Sequence, residues 1–366
     1  MSANIAKRQE TLRQFRQHLA NDRILFLGVA AFIVCGLAYL FITGKFNFVD
    51  SRETLFDYAA VWLAENGIIY PLAVLGLGWA HITIRLDKRR KLAYRHMFNP
   101  RRMSRFYAGM VLMLAFVPFR SMFGSIKNVI SEGQGFIYDH TFADLDKTIH
   151  FGQDPFHWLY QVFSHPWIFK IIEFNYETVW FILCYATQYW VAVAVACDKI
   201  RLRYMLTFML SWILVGNVMA TWFSSAGPVY YGLVTGDYLR FAPIVELIQH
   251  EGGTTAQFQN YLWMLYSQNI PGLGSGISAF PSMHVAIVTI NALFLIEVRP
   301  KFTIPALLYV AFVMMSSVYL GWHYAVDGYV AFAMVVGIYF ALKKVTAVKW
   351  SWRKPEAVSE GVVVAE

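Results

Sequence analysis

Apolar runs of about 17 to 20 residues recur along the chain between shorter basic or aromatic-rich segments, and each is of the length a helix needs to cross a hydrocarbon layer. They predict helical spans near residues 24–43, 67–84, 106–125, 177–196, 204–223, 282–298, 303–321 and 325–342. Backbone polar groups in hydrocarbon must be satisfied within their own segment, so eight such runs predict an all-α polytopic membrane helix bundle. The second run is broken by Pro71 and several glycines, and the third carries Pro118 and Arg120. Shorter helical periods lie between them. Leu12, Phe15 and Leu19, flanked by Arg13 and Arg16, predict a helix on the cytoplasmic leaflet. Phe142, Leu145 and Ile149, then Phe156, Leu159, Tyr160 and Phe163, predict short interfacial helices within the long segment 126–176. That segment and residues 224–281 read either as packed loops or as a lid over the bundle mouth. No internal repeat is evident. The expected organisation is an N-terminal part of two spans and a basic loop over 1–105, a six-helix core over 106–345, and a loose tail over 346–366.

Composition agrees with the pattern: 57% of the 366 residues are hydrophobic and only 15% are charged. The net charge of +8 does not mark a nucleic-acid binder, because 24 of the 31 Lys and Arg residues fall in residues 1–23, 85–105, 199–203, 299–301 and 343–354, beside alternate span ends. Under the positive-inside rule these segments face the cytoplasm, which puts both termini inside and the long aromatic segments outside. A bacterial cytoplasmic membrane fits best, and a Golgi-type lumen is topologically equivalent. Residues 24–43 are too long for a cleaved signal and have no small-x-small cleavage site, so they predict a retained anchor. Cys35, Cys184 and Cys197 have neither CxxC nor metal-ligand spacing and read as packing residues.

The candidate chemistry sits in two short blocks, Ser278-Ala279-Phe280-Pro281-Ser282-Met283-His284 and Ser316-Ser317-Val318-Tyr319-Leu320-Gly321-Trp322-His323-Tyr324-Ala325-Val326-Asp327. Asp327 follows His323 by four residues, so on a helix the carboxylate can hold one ring nitrogen and leave the other to attack. His284 lies at the far end of a two-helix excursion, at the same expected depth, where it can supply a proton. Pro281 predicts the first turn of the sixth helix, whose free N–H groups and positive dipole end, with Ser282, suit an anionic phosphate.

These blocks resemble the second and third signatures of the type 2 phosphatidic acid phosphatase superfamily. Within it the chain looks most like the inositol phosphorylceramide synthase branch, because Met283 replaces the usual glycine before the histidine and Ser316-Ser317 replaces Ser-Arg. The resemblance implies His323 as nucleophile, forming a phosphohistidine, Asp327 as its orienter, and His284 as the acid that protonates the leaving alkoxide. It implies no metal and no other cofactor. The family's first signature, Lys followed after six residues by Arg-Pro, is absent as such. Arg120 and Lys127 have that spacing with the residue types exchanged and no proline, so they are candidate phosphate clamps, with Lys170 and Arg240 as substitutes.

Two glycine-bearing stretches, Gly227-Pro228 and Gly272 to Gly276, flank the expected outer site and suit either a phosphate approach or plain turns. Asp144, Asp146 and Asp154 read as solvated helix caps rather than a headgroup or cation site. The leading expectation is a lipid phosphotransferase that moves a phosphoryl headgroup from a phospholipid donor to a ceramide-like or other lipid alcohol. A hydrolase releasing phosphate or headgroup to water needs the same three residues. A transporter or zinc-binding protein is the reading from another class. Donor, acceptor and oligomeric state are not encoded legibly.

Overall fold

The computed structural model describes residues 2–45, 59–85, 90–163, 165–270, 272 and 274–351 and has no strand among them. Among the described residues six helices are long and apolar enough to cross a membrane: α2 (Arg23–Ile42), α3 (Ala59–Ile84), the first part of α5 (Pro100–Ile130), α10 (Asp198–Trp222), α15 (with its lead-in, Pro300–Tyr319) and the start of α16 (Ala325–Thr346). The protein is therefore an integral membrane protein with an all-helical fold. The eight expected spans exceed these six by two. Residues 177–196 lie in a helix of three pieces, α8 (Pro166–Phe174), a π-turn (Asn175–Val179) and α9 (Trp180–Ala194), and residues 282–298 in the 16-residue α14 (Met283–Val298).

The N-terminal helix α1 (Ser2–Asn21) packs with α2 along the long α5 (Pro100–Gln134), and α4 (Arg90–Met97) precedes α5. Asp22, between α1 and α2, binds Arg201 of α10 through both carboxylate oxygens, a buried pair that ties the N-terminal helices to the rest of the bundle. Pro118 lies inside α5 without ending it, as a bundle permits. The centre is formed by α9, α10, α14, α15 and α16, with α14 packed against both α15 and α16. Its seams are aromatic and aliphatic, including Tyr204, Phe208, Val285, Ile290, Val313 and Val335, all buried.

The segments expected to lie over one mouth of the bundle form α6 (Asp139–Ile149), α7 (Pro155–Val162), α11 (Tyr231–Thr235), α12 (Ala242–Glu251) and α13 (Thr254–Gln268). Their inward faces are part of the core: Phe142, Ala143, Phe156, Ile244 and Ile248 are buried. The start of α14 differs from expectation. Pro281 precedes the helix, joined to Phe280 by a cis peptide, and Ser282 is the N-cap, its hydroxyl accepting from Val285 N at 3.4 Å. A serine side chain can satisfy a first-turn N–H and a proline cannot, which moves the start two residues on. At the other end α16 runs helically to Ser351, further than the expected span, and the remainder of the expected tail, 352–366, lies outside the described residues.

Candidate active site

Two helix starts and one helix end converge at the site. His323 lies in the turn between α15 and α16, and its backbone N–H donates to Ser317 O, which folds the turn back on the end of α15. Its Nδ1 is 3.2 Å from Asp327 Oδ2, the i,i+4 contact expected from spacing. The same oxygen accepts from Tyr324 N at 3.0 Å, so the carboxylate also caps the first turn of its own helix. Asp327 Oδ1 is fully buried and has no hydrogen-bond partner among the described residues.

His284, second residue of α14, faces His323 with ring centroids 6.3 Å apart at 63°. Ser282 N donates to Asp327 O at 3.2 Å, pinning the start of α14 to the start of α16 and so setting the spacing of the two imidazoles. His284 is boxed by two aromatic rings that its spacing did not announce. Tyr176 stacks on it at 4.1 Å and 14°, and Trp180 lies at 4.0 Å while its indole N–H donates to His284 O. Both belong to the π-turn and the helix after it; in a π-turn the extra residue re-aims neighbouring side chains. The Tyr176 hydroxyl is buried without a partner. Trp322, beside His323, donates to Glu177 at 3.2 Å, which closes the aromatic wall.

The four candidate cations part company. Lys127, near the end of the spanning part of α5, acts electrostatically on both His284 and His323. The backbone at Gly276 comes so close to Lys127 that a Cβ there would sit 2.5 Å from the Lys127 carbonyl, and φ is +90°. Of the two glycine-bearing stretches, the second therefore packs against the lysine. Arg120, two turns away, is occupied elsewhere: it bonds Gln188 and lies over the rings of Trp62 at 4.4 Å and Tyr185 at 4.5 Å. Arg240 is held by Asp154 at 2.9 and 3.1 Å, Asp144 at 2.6 Å and the Ala143 carbonyl, so its charge is committed to α6 and the segment after it. Lys170 is on the exposed face of α8.

Of the acidic residues in the outer segment, Asp146 proves a cap of a buried kind. Its two oxygens accept from Ala325 N at 2.6 Å and Val326 N at 2.8 Å, the first N–H groups of the helix that carries Asp327. Seven residues earlier on the same face, Asp139 accepts from Ala226 N, Gly227 N and the Tyr324 hydroxyl at 2.7–2.9 Å. Gly227 needs its φ of +98°, and a Cβ would meet the Trp322 carbonyl at 2.6 Å. One amphipathic helix thus holds the three residues that follow His323, Tyr324 through its hydroxyl and Ala325 and Val326 through their N–H groups. Burial raises the pKa of both carboxylates, that of Asp146 to about 7. The buried face of α6 is not the one the Phe142, Leu145 and Ile149 period marks: Leu145 and Ile149 are exposed, and the face that packs runs through Asp139, Phe142, Ala143 and Asp146, whose carboxylates are drawn in by these backbone donors.

Burial, followed by Lys127, lowers the pKa of His323 to about 3 against a raising hydrogen bond to the Ala279 backbone, so the ring is neutral across the ordinary pH range. A neutral imidazole has the lone pair a nucleophile needs. Among the described residues no three His, Cys, Asp or Glu side chains gather as a metal-binding group.

The family model described as PAP2 superfamily matches residues 140–341, which include α14, α15 and both histidines. No curated protein and no solved structure matches the chain.

Proposed function

From the chain's membership of the PAP2 superfamily, an integral membrane lipid enzyme of phosphatase type follows, and we propose in addition that it is a phosphotransferase working through a phosphohistidine at His323. Asp327 holds Nδ1, so the other nitrogen attacks the phosphorus of a phospholipid headgroup. A P–N bond forms and the P–O bond to the lipid alkoxide breaks. His284, protonated at that moment, gives its proton to the leaving oxygen. The neutral His284 then takes a proton from a lipid alcohol, whose oxygen attacks phosphorus and frees His323. Lys127 and the start of α14, with Ser282 as its cap, stabilise the charge on the non-bridging oxygens. The acceptor is a ceramide-like or other lipid alcohol, as the resemblance to the inositol phosphorylceramide synthase branch implies. The basic segments mark the cytoplasmic side, so the site opens on the opposite one.

The observation that carries this reading is the pair of imidazoles 6.3 Å apart, one held by Asp327 and one boxed by Tyr176 and Trp180. Transfer rather than hydrolysis is favoured by the box, because a phosphohistidine that waits for an alcohol must be kept from water. Purified protein in vesicles with headgroup-labelled phosphatidylinositol tests it, with and without ceramide. A labelled lipid product formed only with ceramide is expected. Label released to water at the same rate in both mixtures makes the protein a hydrolase.

A further inference from the structure

Beneath the histidines, a cavity of about 590 Å³ opens between α3, α9, α14 and α15. Ala73 and Leu77 of α3, Leu183 of α9, Val288 and Leu295 of α14 and Ala306 of α15 are among its walls, and no charged side chain lines it. Among its polar groups, Asn291 accepts from Tyr204 OH at 2.7 Å and donates to Leu183 O at 3.2 Å, and Tyr309 OH donates to Asn175 at 3.2 Å, while the Tyr189 hydroxyl is buried with no hydrogen-bond partner among the described residues. Apart from such hydroxyls, the walls offer an occupant hydrocarbon contact.

The cavity and the active site lie one after the other along the seam between α9 and α14. Trp180 meets His284 where α9 and α14 begin, and Leu183 and Thr187 face Val288 and Asn291 one to two turns further on. Along α14, Val288 to Leu295 lie roughly 6 to 16 Å from His284, which is about the half-thickness of a hydrocarbon core. A lipid with its phosphate at the histidines has its chains at that depth. The fourth wall is α3, which precedes the family-matched residues 140–341.

We propose that this cavity holds one hydrocarbon chain of the lipid whose phosphate reacts at His323, and that α3 sets which chains fit. The inference rests on the lipid-phosphate reading above. A chain leaving the bilayer for an apolar pocket gains no hydrophobic free energy, because lipid tails are as apolar as the pocket. The wall therefore acts through shape, by register and selection rather than by affinity.

The test uses full-length protein in detergent micelles and a diacyl phosphatidic acid with a mid-chain diazirine. Label is expected on the lining peptides of α3, α9 and α14, in the wild type and in His323→Ala alike. Ala73→Trp fills the cavity from an exposed position, and Leu77→Trp, at a side chain 70% exposed, is the second variant. Either should remove the label and, in the presence of ceramide, lower turnover of dioleoyl phosphatidylinositol by about tenfold, the scale of shape discrimination in an apolar pocket, with dihexanoyl phosphatidylinositol turned over as before. Labelling elsewhere, labelling indifferent to both variants, or equal loss on long and short chains would overturn the inference. Specific labelling of a wild-type protein that turns over neither lipid supports the cavity and removes the catalytic reading instead.

Discussion

Lys127 and Arg120 sit seven residues apart on α5, on one face of the helix, yet they inhabit different chemistry. Two turns separate them by roughly 10 Å along the axis. The lysine reaches the field of the two imidazoles, whereas the arginine is sandwiched between Trp62 of α3 and Tyr185 of α9 and bonded to Gln188. Glu65, at the π-turn of α3, lies within its electrostatic reach. Spacing fixes the face of a helix but not the depth at which a partner waits. In the proposed chemistry one cation serves the reacting centre, and the other joins α3 to α9 through its ring contacts.

The difference is tested most severely at the centre. His323→Ala removes the nucleophile, and activity should fall by at least about 10⁴-fold, with Asp327→Asn losing a similar factor because the ring is no longer oriented. Turnover of labelled phospholipid measures both. Retention of the His323→Ala activity within tenfold of wild type is incompatible with a phosphohistidine. Lys127→Met comes next: about 10²–10³ should be lost from kcat, the usual effect of deleting one donor to a developing oxyanion. A loss confined to KM would place the lysine on the bound substrate and not on the transition state.

Arg120→Met is expected to behave in the opposite manner. Losing the charged hydrogen bond to Gln188 and the two ring contacts costs on the order of 1.5–3 kcal/mol of stability, read as a lower midpoint of thermal unfolding, while turnover per folded molecule stays within about twofold. If kcat instead drops as it does for Lys127→Met, Arg120 grips phosphate after all and the distinction between the two cations is gone.

How much of this was open to inspection in the sequence follows the same line. The spans and the His323–Asp327 contact rest on local spacing, which survives folding, whereas the pairing of His323 with His284, 39 residues earlier, rests on the order of the spans between them. The span count did not transfer whole: among the described residues six helices have the length and hydropathy of a span, 166–194 is not one of them, and α14 is only 16 residues long. Tyr176 and Trp180 gave no signal, because aromatic residues are common in such segments and stacking depends on how α8 and α9 dock on α14. Arg240 was legible as a cation but not as one already held by Asp144 and Asp154, which lie 96 and 86 residues away in the chain. Non-local partners are what a period cannot encode.

The smallest expected effect is also the one that probes a scaffold carboxylate rather than a reacting group. Asp146 touches no substrate atom in the proposed chemistry, yet it holds the first two N–H groups of the helix that carries Asp327. Burial raises its pKa from 3.8 to about 7 in the folded protein, so between those values the native state takes up a proton that the unfolded chain has released. Stability from this group is thus fully present below about pH 4 and lost as pH rises through about 7, on the order of 1–2 kcal/mol after solvent relaxation. Thermal unfolding in detergent at stepped pH reads that slope. Asp146→Asn cannot titrate and should flatten it, while keeping one acceptor for the helix start. Identical slopes in the two proteins would mean that the carboxylate stays ionised in the fold, the Ala325 and Val326 N–H groups outweighing the cost of its burial.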